Sequence, residues 1–125
     1  MRIGLVTDSL GHLTVDEMLD TAAALGVETL EFGCGGWSAA PHLNLDQLLD
    51  SAAEREAFTA RIRDHGLEIS ALNCSGNPLA PGARGAAHDR VVRNTLSLAR
   101  LLDIHRVVLM SGLPGGPPST CGPWS

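Results

Sequence analysis

Glu31 is the next-to-last residue of the apolar run ETLEF (28–32). A carboxylate there costs free energy unless it is paired or used. Used, it accepts hydrogen bonds from sugar hydroxyls or joins a metal site. Unused, it is satisfied by an arginine or by backbone N–H groups. Asp8 follows an earlier apolar run, RIGLVT (2–7), where it either meets a ligand or, the expected role, shapes a turn. His12 and His42 close the loops after these two runs. Imidazoles suit a divalent metal, although a lone loop histidine ordinarily faces solvent. Trp37 offers an indole that either stacks on a sugar ring or packs in a core. The stretch FGCGG (32–36) lacks a full glycine-rich phosphate frame and follows the second apolar run instead of the first. Cys34 and Cys74 show no neighbouring His–Asp pair that would make either a nucleophile. His65, His88 and His105 stand near helix ends or a strand start and read as structural or exposed.

Composition narrows the chemistry. All nine basic residues are arginines, and the chain holds neither lysine nor tyrosine. A Schiff-base lysine, a P-loop lysine and a tyrosine acid are thereby excluded from these 125 residues. Proton transfer falls to Asp, Glu, His or Cys. The net charge of -5 argues against a nucleic-acid partner. No apolar run approaches the ~18 residues of a membrane span, and the N-terminus does not read as a signal peptide, so a cytoplasmic protein with no membrane partner is expected. Three cysteines, 34, 74 and 121, lack a CxxC pair and predict no disulfide.

The elements that position these residues recur. RIGLVT (2–7), ETLEF (28–32), LEISAL (67–72) and RVVLM (106–110) start 26, 39 and 39 residues apart. Their Val, Ile and Leu content predicts four buried strands. Helical patterns fill the gaps. Thr14 and Glu17 make a capping box, Val15, Met18, Leu19, Ala22 and Leu25 follow at helical spacing, and Gly26 stops the helix. Asn44 caps a second helical stretch that runs to Gly66, with Leu45, Leu48 and Leu49 on one stripe and Phe58 and Ile62 on another. Over 86–103, Val91, Val92, Thr95, Leu98, Ala99 and Leu102 share a third helical face. Alternating strands and helices predict an α/β fold with a parallel sheet and right-handed crossovers. It is either a small open sheet or the first half, strands 1–4, of a (β/α)8 TIM barrel, whose ~250 residues are about twice this length. In both, ligands meet the loops after the strands: TDSLGH, EFGCGGWSAAPH, NCSGNPLAPG and SGLPGGPPS.

Three of these loops carry a resemblance. LEFGCGGWSAAPHLNLDQLL, then SALNCSGNPLAPG 21 residues after Leu49, then VVLMSGLPGGPP resemble, in order and spacing, the N-terminal half of the sugar phosphate isomerase/epimerase family of xylose-isomerase-like TIM barrels. The resemblance spans residues 1–118; STCGPWS (119–125) is an atypical tail, expected to come from truncation, a frameshift or a gene-model error. It implies a sugar or sugar phosphate as partner. It also implies proton transfer next to a carbonyl, assisted by a divalent metal, Mn²⁺, Mg²⁺, Co²⁺ or Zn²⁺. In the family the metal ligands and catalytic carboxylates lie mostly on strands five to eight, so no catalytic residue and no metal ligand is carried onto this chain. The substrate-side wall is carried over: Glu31, Trp37, His42, Asn73, Cys74, Asn77 and Ser111. Ser75 and Ala80 stand where relatives often have histidine; if those histidines bind substrate or metal there, this chain lacks that contact. Alone, such a half-barrel is expected to be inactive and to self-associate through its uncovered surface. A standalone α/β domain that binds a sugar or phosphate without catalysis is the alternative reading.

Overall fold

Thr14 starts the first helix as its composition predicts. Its hydroxyl accepts the Glu17 N–H at 3.2 Å, and the Glu17 carboxylate accepts the Thr14 N–H at 2.9 Å. These bonds from Thr14 hold the Glu17 carboxyl below its usual range. Helix α1 (Val15–Leu25) ends at Gly26, φ 77°, a left-handed geometry that costs a residue without a Cβ little. Met18, Leu19 and Ala22 are fully buried, but Leu25, expected on the same face, is 65% exposed at the helix end.

In the computed structural model, residues 1–110 are described. Ser111, Cys121, the loop SGLPGGPP and the 119–125 tail lie outside the described residues. Four strands form one sheet: β1 (Gly4–Val6), β2 (Thr29–Gly33), β3 (Glu68–Asn73) and β4 (Val107–Val108). Their order is β1-β2-β3-β4 and every pairing is parallel. The outer strands are shorter than the sequence predicts; β1 stops at Val6 because Thr7 already turns into a short 3-10 segment (Thr7–Leu10).

The stretch expected as one helix from Asn44 to Gly66 is two. Helix α2 (Leu45–Asp50) is capped by the Asn44 side chain, which accepts the Gln47 N–H at 3.1 Å. Ser51 adopts an extended backbone and caps α3 (Ala52–Asp64) by accepting the Glu54 N–H at 3.2 Å. The break lets the Leu45–Leu48 stripe and the Phe58–Ile62 stripe both face the core. Helix α4 (Gly82–Leu101) starts earlier than its apolar stripe suggests. Its buried face holds Thr95, Leu98 and Ala99, with Val91 and Leu102 partly covered.

All four helices lie on one face of the sheet. Their apolar side chains join Leu5, Leu30, Phe32, Leu72 and Val107 in a single cluster. Phe32 and Phe58 meet edge-to-face, ring centroids 5.1 Å apart. The register Leu30↔Ile69, Glu31↔Ala71 leaves Ser70 as an extra residue in β3, its hydroxyl bonded to the Leu30 carbonyl at 3.1 Å. This bulge matters because strict alternation would put Ile69 with Ala71 and Asn73. With it, Ile69 and Leu72 face the helices while Ala71 and Asn73 face the other way. The opposite face carries Val6, Glu31, Asn73 and Val108, and none of α1–α4 packs on it, although Thr29 and Ala71 on this face are buried. The expectation of four buried strands therefore fails at the edges: Val6 is 43% and Val108 40% exposed.

The outer layer is tied by surface charges. Arg61 in α3 grips Asp16 in α1 through two bonds of 2.8 and 2.9 Å, an exposed pair that contributes little. His65 ends α3 with Nδ1 on the Arg61 carbonyl at 2.7 Å and Nε2 on Asp20 at 3.1 Å. Both partners are acceptors, so the doubly protonated ring fits best. The Arg61 carbonyl first, and Asp20 second, raise its pKa above 6.5. The charged ring's stabilisation is thus full below the unfolded value and is lost as pH rises through the folded one. Urea midpoints are expected to fall modestly as pH rises past 6.5, and this part of the fall disappears in His65→Gln.

Candidate functional site

The C-terminal ends of the strands bring the loops together, and the backbone ladder continues past the strands. Cys34 N–H donates to the Asn73 carbonyl at 2.8 Å, Cys74 N–H to Val108 at 2.9 Å, and Trp37 N–H to Ser75 at 2.9 Å. The loop after β2 is therefore laced to the loop after β3.

On the uncovered face, Glu31 accepts a hydrogen bond from the Asn73 amide at 2.9 Å. Among the described residues no bond to it from an arginine or a backbone N–H accompanies this one. Register explains the pair: Glu31 stands opposite Ala71 and Gly33 opposite Asn73, so both side chains project from adjacent strands onto one face. Asn73 Oδ1 in turn accepts the Ser75 N–H at 2.9 Å, which fixes the amide orientation. Only one carboxylate oxygen of Glu31 is engaged by this bond. The half-buried group keeps acceptor capacity for a hydroxyl-rich ligand.

Asp8 joins this face. A Cβ on Gly33 would lie 2.6 and 2.9 Å from the two Asp8 carboxylate oxygens and closer still to the Ser38 hydroxyl. Gly33 points to the same side as Glu31, so its missing side chain makes the room into which Asp8 and Ser38 reach. The turn role read for Asp8 is also present, through its carbonyl, which accepts the Gly11 N–H at 3.0 Å. Beside it, Thr7 is fully buried and its hydroxyl has no partner.

Above the sheet end stands Trp37, 55% exposed, so it is not a core residue. Its ring meets His88 of α4 perpendicularly, centroids 6.4 Å apart. His88, read as structural or exposed, is half-buried, and its Nδ1 accepts the Asn77 N–H at 2.6 Å. Asn77 is buried, and its Oδ1 accepts the Leu79 N–H at 3.2 Å, shaping the turn.

Cys74 and Cys34 are buried free thiols. Burial pushes Cys34 up to about 12 and Cys74 upward as well. The Thr95 hydroxyl, which makes no hydrogen bond of good geometry, pulls both back slightly. Thiols so placed stay protonated near neutrality and fill space.

His42 departs from the group. It is 3% exposed instead of facing solvent. Its Nε2 meets the Leu13 carbonyl at 3.0 Å, and its Nδ1 is buried without a partner. It lines a cleft of about 880 Å³ with Phe58, Arg61, Arg90 and Asn94, a cleft that Glu31, Trp37, Asn73 and Asn77 do not reach. His12 and His105 are exposed.

The structure thus gathers Glu31 with Asn73, and Trp37 with Asn77, and adds Asp8 and His88; His42 stands apart, and Ser111 lies outside the described residues. Residue type and loop position pointed to Glu31 and Trp37, whereas nothing local marks His88.

The chain is 51% identical over 118 residues, 94% of its length, to an uncharacterized protein, YfiH, of Bacillus subtilis (strain 168). It spans 38% of that relative's length. No family model matches the sequence. Among the described residues no helix is long and apolar enough to cross a membrane, and no three His, Cys, Asp or Glu converge as a metal site.

Proposed function

We propose that this chain forms the substrate-side wall of a sugar or sugar phosphate isomerase/epimerase, an enzyme that transfers a proton next to a carbonyl. The wall is the first four strands of a (β/α)8 barrel with the helices that connect them. The supporting observation is the sheet itself: four parallel strands in chain order, helices on one face only, and the Glu31–Asn73 pair on the other. Parallel sheets ordinarily have both faces covered, and closing a barrel would cover this one with its own opposite wall. In this reading Glu31 accepts from substrate hydroxyls, Asn73 holds Glu31 in place, and Trp37 supports the sugar ring. The divalent metal, Mn²⁺, Mg²⁺, Co²⁺ or Zn²⁺, is ligated by residues other than those described, and the protons are moved by carboxylates on the remaining strands.

The test is complementation. The chain is mixed with a separately made polypeptide carrying the part of the Bacillus relative outside the matched region, with Mn²⁺ present, in D₂O. A panel of pentoses, hexoses and their phosphates is followed by NMR. Deuterium is expected to enter at the carbon beside the carbonyl in the mixture and with neither part alone. Glu31→Ala lowers that rate by at least about tenfold, the loss expected when a hydrogen bond to a charged group is removed. No exchange with any sugar overturns the reading.

A further inference from the structure

Two half-open groups, Trp37 and His88, meet at the loop crossing. The His88 ring rests on Gly76, where a Cβ would lie 2.8 Å from Nδ1. Because Nδ1 accepts the Asn77 N–H at 2.6 Å, the ring proton sits on Nε2. Among the described residues Nε2 has no hydrogen-bond partner, so an oriented N–H donor is left over. Trp37 stands against it, more than half exposed although an indole normally buries 150–250 Å². Its backbone is fixed by the bond to Ser75, and Gly36, at φ 79°, brings the loop against the Ser75 carbonyl where a Cβ would not fit. A flat amphipathic surface beside a preset donor matches a sugar: the apolar ring face lies on the indole and a rim oxygen accepts from Nε2–H.

We infer that Trp37 and His88 form a subsite for a sugar or sugar phosphate, with His88 Nε2–H donating to a hydroxyl or phosphate oxygen and Asn77 holding the tautomer. The class of ligand rests on the isomerase reading; the donor and its orientation rest on the geometry alone.

The test uses the whole chain in a Trp124→Phe background, so that Trp37 fluorescence reports alone. Fructose, fructose 6-phosphate and inorganic phosphate are titrated while His88 ring nitrogen signals are followed by NMR. Saturable changes in both signals are expected with a sugar. His88→Asn keeps an acceptor where Nδ1 stood and removes the Nε2 donor. It should leave the urea midpoint unchanged from the parent, as a tolerated substitution does, yet weaken binding at least about tenfold. His88→Gln retains a donor near Nε2 but frees the Asn77 N–H. It should unfold at lower urea while losing less affinity than His88→Asn. Tighter binding of the phosphate ester than of fructose assigns a phosphate oxygen, and equal binding assigns a hydroxyl; either supports the subsite. Undiminished binding by His88→Asn overturns it and leaves the isomerase reading standing. So does a His88 response to inorganic phosphate with none to either sugar. A parent chain that binds no probe also overturns the subsite, and the isomerase reading is then decided by deuterium exchange in the complemented mixture.

Discussion

Phe32→Ala is expected to remove about 3–5 kcal/mol of stability, the usual loss when a buried aromatic side chain leaves a cavity. Phe32 is fully buried at the middle of the sheet's helix side, and its edge-to-face contact with Phe58 joins β2 to α3. A domain of this size holds roughly 5–15 kcal/mol in total, so the variant is left marginal. Urea unfolding followed by circular dichroism measures the shift. Phe58→Ala, at a residue 9% exposed, should cost less, because its other side is nearer the surface. The double variant should lose less than the sum of the two, since the pair's own contact, about 0.5–1.5 kcal/mol, is counted in both singles. Additive losses would mean that the two rings contribute independently and that the sheet–helix joint lies elsewhere.

Gly85→Ala is expected to reverse the ordinary sign of its class. Inside a helix, alanine is better than glycine by about 1 kcal/mol. Gly85 lies in the first turns of α4, but a Cβ there would run into the Ala80 carbonyl oxygen and come within 2.8 Å of its carbon. Both are backbone atoms, so no side-chain rotation relieves the contact. A loss of about 1–3 kcal/mol is expected, the range for overpacking. The damage should be local as well. Residues 77–81 fold back on this turn, and the Asn77–His88 bond would loosen with them, which hydrogen exchange at the Asn77 and Leu79 amides would show. Ala86→Gly, at the exposed next position, is the control and should lose about 1 kcal/mol by propensity alone. A stabilised Gly85→Ala chain would show that the loop does not press on the helix.

Local chemistry was readable along the chain, and long-range chemistry was not. Thr14, Glu17 and Gly26 mark α1 because cap and stop involve neighbours three or four residues apart. Asn44 and Gly66 work the same way. Ser51 carried an equally local signal, since Glu54 follows it at capping spacing, but the helical pattern continuing across it concealed the break. The β3 bulge has no such marker: it exists only because Leu30 pairs with Ile69 and Glu31 with Ala71. His42 is buried by a carbonyl 29 residues away, and His88 is oriented by an amide across a loop. Glu31 was legible because a carboxylate among apolar residues calls for an explanation, whereas its partner Asn73 came from pairing two strands 42 residues apart.

The strand order also bears on how the molecule is made. Each strand pairs with the one translated just before it. The sheet can therefore grow in the direction of synthesis, with no late segment inserted between earlier ones. β1 and β2 are complete once 33 residues have emerged, and each further β/α unit adds one row of hydrogen bonds to the most recent edge. Loop closures stay short, which favours rapid assembly for a parallel sheet. The apolar residues Val108, Leu109 and Met110, 40–53% exposed, lie on or just past the last strand to form, the described edge most open to mispairing in the nascent chain.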